Sequence, residues 1–134
     1  NHRNNSIYIH SSRGYTSRDY VKPDLAAPGV EILGPSVRIS AAFRPGLSSS
    51  VAAGTAPDFS RRTGTSAAAA ITAGAVANLL SWGIVMGNYP TMSEASIKSY
   101  LIRGAARNPS LTYPNKEFGY GTLDLLQTFL RLRE

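Results

Sequence analysis

Apolar and polar positions fall into four kinds of stretch along this chain. Ser6 to Ser11 alternates and is rich in β-forming residues, so a strand is predicted there with Ile7 and Ile9 on one face. Arg13 to Lys22 is polar and reads as a loop. Lys22 to Gly29 ends in Pro28-Gly29, a turn signal, and Val30 to Leu33 follows as a second short strand stopped by Gly34-Pro35. Residues 36–63 are rich in Ser, Gly, Ala, Arg and Pro and read as a long surface loop, with a short strand passing through Val37 to Phe43.

From Ser66 to Met86 there is no charged residue. A helix apolar all round belongs at the centre of a layered domain, so residues from Ser66 to about Leu80 or Trp82 are expected as a largely buried helix. A membrane span has the same length. Against it stand the run of alanines, which adds little to insertion, the polar Thr72, Asn78 and Ser81, and Gly83. No membrane span is expected.

Thr91 and Glu94 have capping-box spacing. The helix they open would bury Ile97, Tyr100, Leu101 and Ala105 on one stripe. A last helix would turn Leu125, Leu126, Phe129 and Leu130 inward. Strands first and helices last point to an α/β layer arrangement.

Composition adds limits. At 134 residues and 43% hydrophobic, the chain is sized for one globular domain. It has no cysteine, hence no disulfide framework and no thiolate metal site. The net charge of +6 comes from scattered arginines without a basic block, so no nucleic-acid partner is expected. Residues 1–10 hold no apolar segment of the secretory kind. No aspartate cluster has calcium-loop spacing, so no metal and no cofactor are expected. Asp24 reads as a turn residue satisfying backbone groups, and Asp124 as one placed for a helix dipole. Asp58 adds no cluster. Arg61-Arg62 reads as a solvated loop pair rather than a processing site. Tyr113, Phe118 and Tyr120 are spaced like packing aromatics.

The chemistry centres on Gly64-Thr65-Ser66, at the mouth of the apolar helix. Ser66 either caps that helix or is presented by it as a nucleophile. A helix N-terminus supplies free N–H groups and a positive dipole end, both suited to an oxyanion. Gly64 leaves the approach open. The tripeptide alone does not decide between these readings.

The order of motifs does more. Ser11-Ser12-Arg13-Gly14, Lys22-Pro23-Asp24 to Ala27-Pro28-Gly29, Gly64-Thr65-Ser66, Ala73-Gly74 and Gly119-Tyr120-Gly121 together resemble the C-terminal part of the subtilisin-like serine proteases, from about Ile7 to Leu130. The segments around TAGAVANLLSWGIV and FGYGTLDLLQTF are most similar to the clostridial Csp-like branch. The resemblance implies an α/β fold, the C-terminal portion of a three-layer domain in which helices pack on a parallel sheet, with 1–134 one incomplete piece of it. It implies Ser66 as catalytic nucleophile with its own N–H as an oxyanion donor, and Gly64 and Thr65 as residues of the substrate cleft. It implies a protein or peptide substrate and a secreted or spore-associated bacterial protein.

Two positions depart from the family pattern: Ala70 stands where proline is usual, and Ile71 where histidine is common. The family's catalytic Asp and His motifs are absent. Neither His2 nor His10 occupies such a motif, and Asn78, deep in the helix, cannot replace the family's oxyanion asparagine. The chain alone is therefore expected to be inactive, and to associate with the N-terminal part of the same protease or with itself. The alternative is a pseudoprotease or binding module that keeps the fold. Ser66 in mid-strand, or an exposed run at 67–80, would end the protease reading.

Overall fold

The computed structural model describes residues 6–14, 21–35 and 59–132. Its elements, in chain order, are strand β1 (Ile32–Pro35), strand β2 (Phe59–Arg62), helix α1 (Thr65–Leu80), a π-helical turn (Ser81–Val85), helix α2 (Glu94–Gly104) and helix α3 (Leu125–Arg131). The strand expected at Val37 to Phe43 lies outside the described residues, as does most of the expected loop.

β1 and β2 pair antiparallel, with Ile32 opposite Arg62 and Gly34 opposite Ser60. The strand expected from Val30 begins two residues later, because Glu31 takes a left-handed φ of 56°. It also runs through Gly34-Pro35 instead of stopping there. In a two-stranded ladder a proline can turn its missing N–H away from the partner. Arg61 and Arg62 thus belong to a strand, a correction to the loop reading.

No strand forms at 6–11. Ser11 donates its N–H to the Tyr8 carbonyl at 2.9 Å, closing a turn, and Ile9 is 84% exposed. A strand needs a neighbour for its ladder, and no described segment supplies one here.

The core lies at the far end of α1 from Ser66, about 20 Å along the helix at 1.5 Å per residue. Leu79, Met92, Ile97 and Leu101 form it, with Trp82, Leu123, Leu125 and Phe129 packed around them. Trp82 and Phe129 meet edge to face at 5.8 Å. α2 starts two residues later than its expected cap. Ser93 is the N-cap, bonded reciprocally with Ser96, while Thr91 is exposed. Met92 explains the shift: it joins Ile97 in the core as a hydrophobic staple, fixing where the chain enters the helix. Ile97, Leu101 and Ala105 are buried and Tyr100 half-buried, as the periodicity predicts.

α3 is rotated relative to its expected face. Leu125 and Phe129 pack inward, but Leu126 is 68% exposed and Leu130 is also outside. The residue at the contact is Thr128, fully buried, its hydroxyl donating to the Asp124 carbonyl at 2.7 Å. It sits against Gly104, where an added Cβ would lie 2.5 Å from the Thr128 Cα. The close α2–α3 approach, which single-helix periodicity cannot register, sets the rotation.

α1 departs most from expectation. Only Ala75 and Leu79 are buried within it, and Ala69, Ala70, Ala73, Gly74, Ala77 and Asn78 are exposed. Its polar side chains beyond the first turn bond within the helix, Thr72 to the Ala68 carbonyl and Asn78 to the Gly74 carbonyl, each at 2.9 Å. Thr65–Val85 is long and apolar enough to cross a membrane by length and composition. The burial expected of it needs more sheet than β1 and β2 provide.

Candidate active site

Three motifs converge through main-chain bonds. The Asp24–Ala26 segment lies along Tyr120–Leu123: Tyr120 N–H donates to the Asp24 carbonyl, Ala26 N–H to the Gly121 carbonyl and Leu123 N–H to the Ala26 carbonyl, at 2.8–3.0 Å. The Asn115 carboxamide oxygen accepts from the N–H groups of Glu117 and Phe118, shaping the turn that presents Gly119 and Gly121. Arg107 clamps that turn to the end of α2, donating to the carbonyls of Tyr120 and Ile102.

Farther along, Pro28-Gly29 meets the start of α1. Gly64 N–H donates to the Gly29 carbonyl at 2.7 Å, and Glu31 N–H to the Thr63 hydroxyl at 2.9 Å. A Cβ on Gly29 would come within 2.8 Å of the Gly64 carbonyl oxygen and 3.1 Å of the Ala68 Cβ. The spacing of the motifs along the sequence is thus a chain of contacts ending at Ser66.

Gly64 is the N-cap of α1, with φ 153° and ψ 165°, a conformation largely confined to glycine. An added Cβ would meet nothing nearer than the Ser66 nitrogen, at 4.0 Å. Glycine here both permits the backbone and leaves the approach to that amide open. Thr65 and Ser66 are the first two helical residues, and both are exposed. Ala67 and Ala68 donate to the Gly64 carbonyl, whereas no described residue accepts from the Ser66 N–H or bonds its hydroxyl. Ser66 is not the helix cap, which removes the simpler explanation of its place.

The helix start divides two depressions. Thr65 lines a large apolar one of about 1270 Å³, together with His10, Leu25, Val76 and Ile97. Ser66 lines a smaller groove of about 530 Å³ between the β1–β2 hairpin and α1, with Ile32, Gly34, Arg62, Ala67, Ala70 and Ile71 among its walls. Gly64 borders both. Ala70 keeps the amide a proline would lack, and α1 runs unbroken from Thr65.

No histidine or carboxylate lines the Ser66 groove; Arg62 is its one charged wall residue among those described. His10 lines the other depression, stacked edge to face on Tyr8 at 5.3 Å. His2, Asp19 and Asp58 lie outside the described residues. Among those described, no group of three or more His, Cys, Asp or Glu could hold a metal ion. Asp124 is the N-cap of α3, accepting from Gln127 N–H at 2.9 Å. Nothing in the sequence marked Arg62 as a wall residue of this groove, although alternation along a short strand ending at Arg62 places it on the other face from Arg61.

The Asp24 carboxylate, expected to bond backbone groups, instead pairs with Lys22 at 2.6 Å and Lys98 at 2.8 Å. Desolvation pushes its pKa up, but the hydrogen bonds and charges of the two lysines outweigh this and leave it lowered. The hydrogen bond and charge of Asp24 raise Lys98. A lowered acid stabilises the fold above its unfolded value, and the contribution fades as pH falls through the folded one. A raised base stabilises below its unfolded value and loses this as pH climbs through the folded one. The ion pair should therefore contribute between about pH 4 and pH 10. Lys98→Met should lower stability at pH 7 by about 0.2–1 kcal/mol, the range for exposed pairs. Melting curves of the two proteins should converge near pH 2; a gap that persists there would refute the assignment.

The description "Subtilase family" is matched over residues 1–121. The chain belongs to the subtilase family. A comparison with curated proteins finds no match. Among solved structures, the chain is similar to the Clostridium perfringens CspB protease, with 34% identity and a TM-score of 0.79 over 100% of this chain and 25% of that one. It thus spans a quarter of that protease's length and forms a portion of the subtilisin-like fold, incomplete by itself. The expectation that an exposed 67–80 run would exclude a subtilase fails on this match. Burial of α1 is a property of a whole domain, and the described residues of this subtilase segment provide a two-stranded sheet.

Proposed function

We propose that the chain is the nucleophile-bearing part of a subtilisin-like serine endopeptidase. The observation that carries this is Ser66 itself: exposed in the first turn of α1, its hydroxyl unbonded and its amide without an acceptor among the described residues. In the parent enzyme the Ser66 hydroxyl would attack the scissile carbonyl and pass its proton to a histidine base. The Ser66 N–H would stabilise the resulting oxyanion. That proton would leave with the amine product, and water would then hydrolyse the acyl-serine. Arginine cannot act as the base at neutral pH, so the groove as described lacks one and the chain alone should be inactive. Gly64 and Thr65 would border the substrate cleft.

A fluorophosphonate probe tests the reading. The parent protein should be labelled at Ser66, and Ser66→Ala should abolish labelling. The isolated chain should label poorly. A folded parent that is not labelled would indicate a pseudoprotease.

The exposed face of α1 and the apolar depression beside it would be covered by the N-terminal part of the same protease or by another copy of the chain, since burial is worth roughly 25 cal/mol per Å² of apolar surface. Light scattering on the isolated chain should show a dimer or larger species, or a complex when the companion part is added. A stable, soluble monomer would contradict this.

A further inference from the structure

We propose that Arg62 selects peptides carrying an acidic side chain next to the bond presented to Ser66. The inference rests on the reading of Ser66 as the nucleophile and names the substrate class of that site. β2 is two-faced. Arg61 turns outward to Glu31, its Nη1 3.3 Å from the Glu31 carbonyl oxygen and its Nε 3.9 Å from the carboxylate. Arg62, one residue on, is cross-strand from Ile32 and joins it in the wall of the Ser66 groove. Strand alternation, with its period of two, sends neighbouring arginines to opposite sides.

Arg62 is exposed, and no described residue forms an ion pair or side-chain hydrogen bond with it. Gly34, also in the groove wall, leaves space beside it, since an added Cβ there would meet nothing within 4 Å. Among the described residues, none that is acidic lines the groove or occupies the first turn of α1, so none of them offsets the guanidinium or the positive end of the helix. A guanidinium offers a planar fork that fits a carboxylate in two parallel hydrogen bonds. A lysine or arginine in the same part of a substrate would meet like charge.

The test uses the full-length parent carrying Ser66→Ala, so that peptides bind without turnover. Two fluorescent peptide pools are compared by anisotropy, identical except for a fixed Glu or a fixed Gln. The Glu pool should bind about fivefold more tightly at low salt, in the range of one exposed ion pair. High salt should shrink the difference. Adding Arg62→Gln should abolish the preference, and Arg62→Lys should restore part of it. Equal affinity for the two pools, or a preference that survives Arg62→Gln, overturns the proposal. Failure of the Ser66 reading would show separately, as absent fluorophosphonate labelling of the unsubstituted parent.

Discussion

In the parent protease, Ser66→Ala should lower kcat by about six orders of magnitude, the loss known for removing the triad serine of subtilisin itself. That figure comes from the enzyme class; the geometry around Ser66 supplies the reason for expecting it. The exposed hydroxyl lines the groove on one side of the helix start, and the other described hydroxyl in that wall, that of Thr63, is held by the Glu31 N–H. KM should change little. The amide at position 66 and the Gly64 conformation both survive the substitution, so the groove keeps its shape. Steady-state kinetics on a peptide ester would check this. If kcat fell less than about tenfold, Ser66 would not be the nucleophile, because the acyl intermediate could then form without it. If the parent supplies a histidine base as proposed, removing it as well should add little further loss, since triad members act as a unit.

The second large effect is on folding. Gly119→Ala should cost at least about 3 kcal/mol, a large part of the 5–15 kcal/mol that holds a domain together. Gly119 has a φ of 59°. An added Cβ would strike the Pro23 carbonyl oxygen and lie 2.5 Å from that of Asp24. Both obstacles are main chain and cannot rotate away. The Asp24–Ala26 segment would have to leave Tyr120–Leu123, and through Gly29 the disturbance would reach the helix start that bears Ser66. Gly74→Ala is the control. It lies in α1 with nothing within 4 Å, so in the isolated chain diluted below self-association alanine should gain about 1 kcal/mol of helix propensity. In the parent, where the rest of the domain is proposed to cover α1, that gain should vanish. Denaturant melts of both variants decide the matter. A Gly119→Ala protein as stable as the original would mean that the two motifs do not pack as described.

What could be read along the chain was what depends on near neighbours. The apolar run from Ser66 is a helix because its residues tolerate no other regular structure so economically, and the stripe of Ile97, Leu101 and Ala105 faces inward as its spacing requires. Gly64-Thr65-Ser66 at a helix mouth, with the accompanying motifs in order, already identified the family that the match over residues 1–121 establishes. Ser66 stood out because a helix start is a local feature with its own free amides.

Tertiary contacts decided the rest. Met92 set the start of α2 by entering the core, and Gly104 against Thr128 set which side of α3 faces in. The segment at 6–11 alternates like a strand yet forms none, since a ladder needs a partner strand that a period-two pattern cannot supply. Pairing of Ile32 with Arg62 put one arginine of two on the groove and gave the other to Glu31. The exposure of α1 has the same origin. An apolar sequence makes a face that must be covered, but only the layers present in three dimensions determine whether it is.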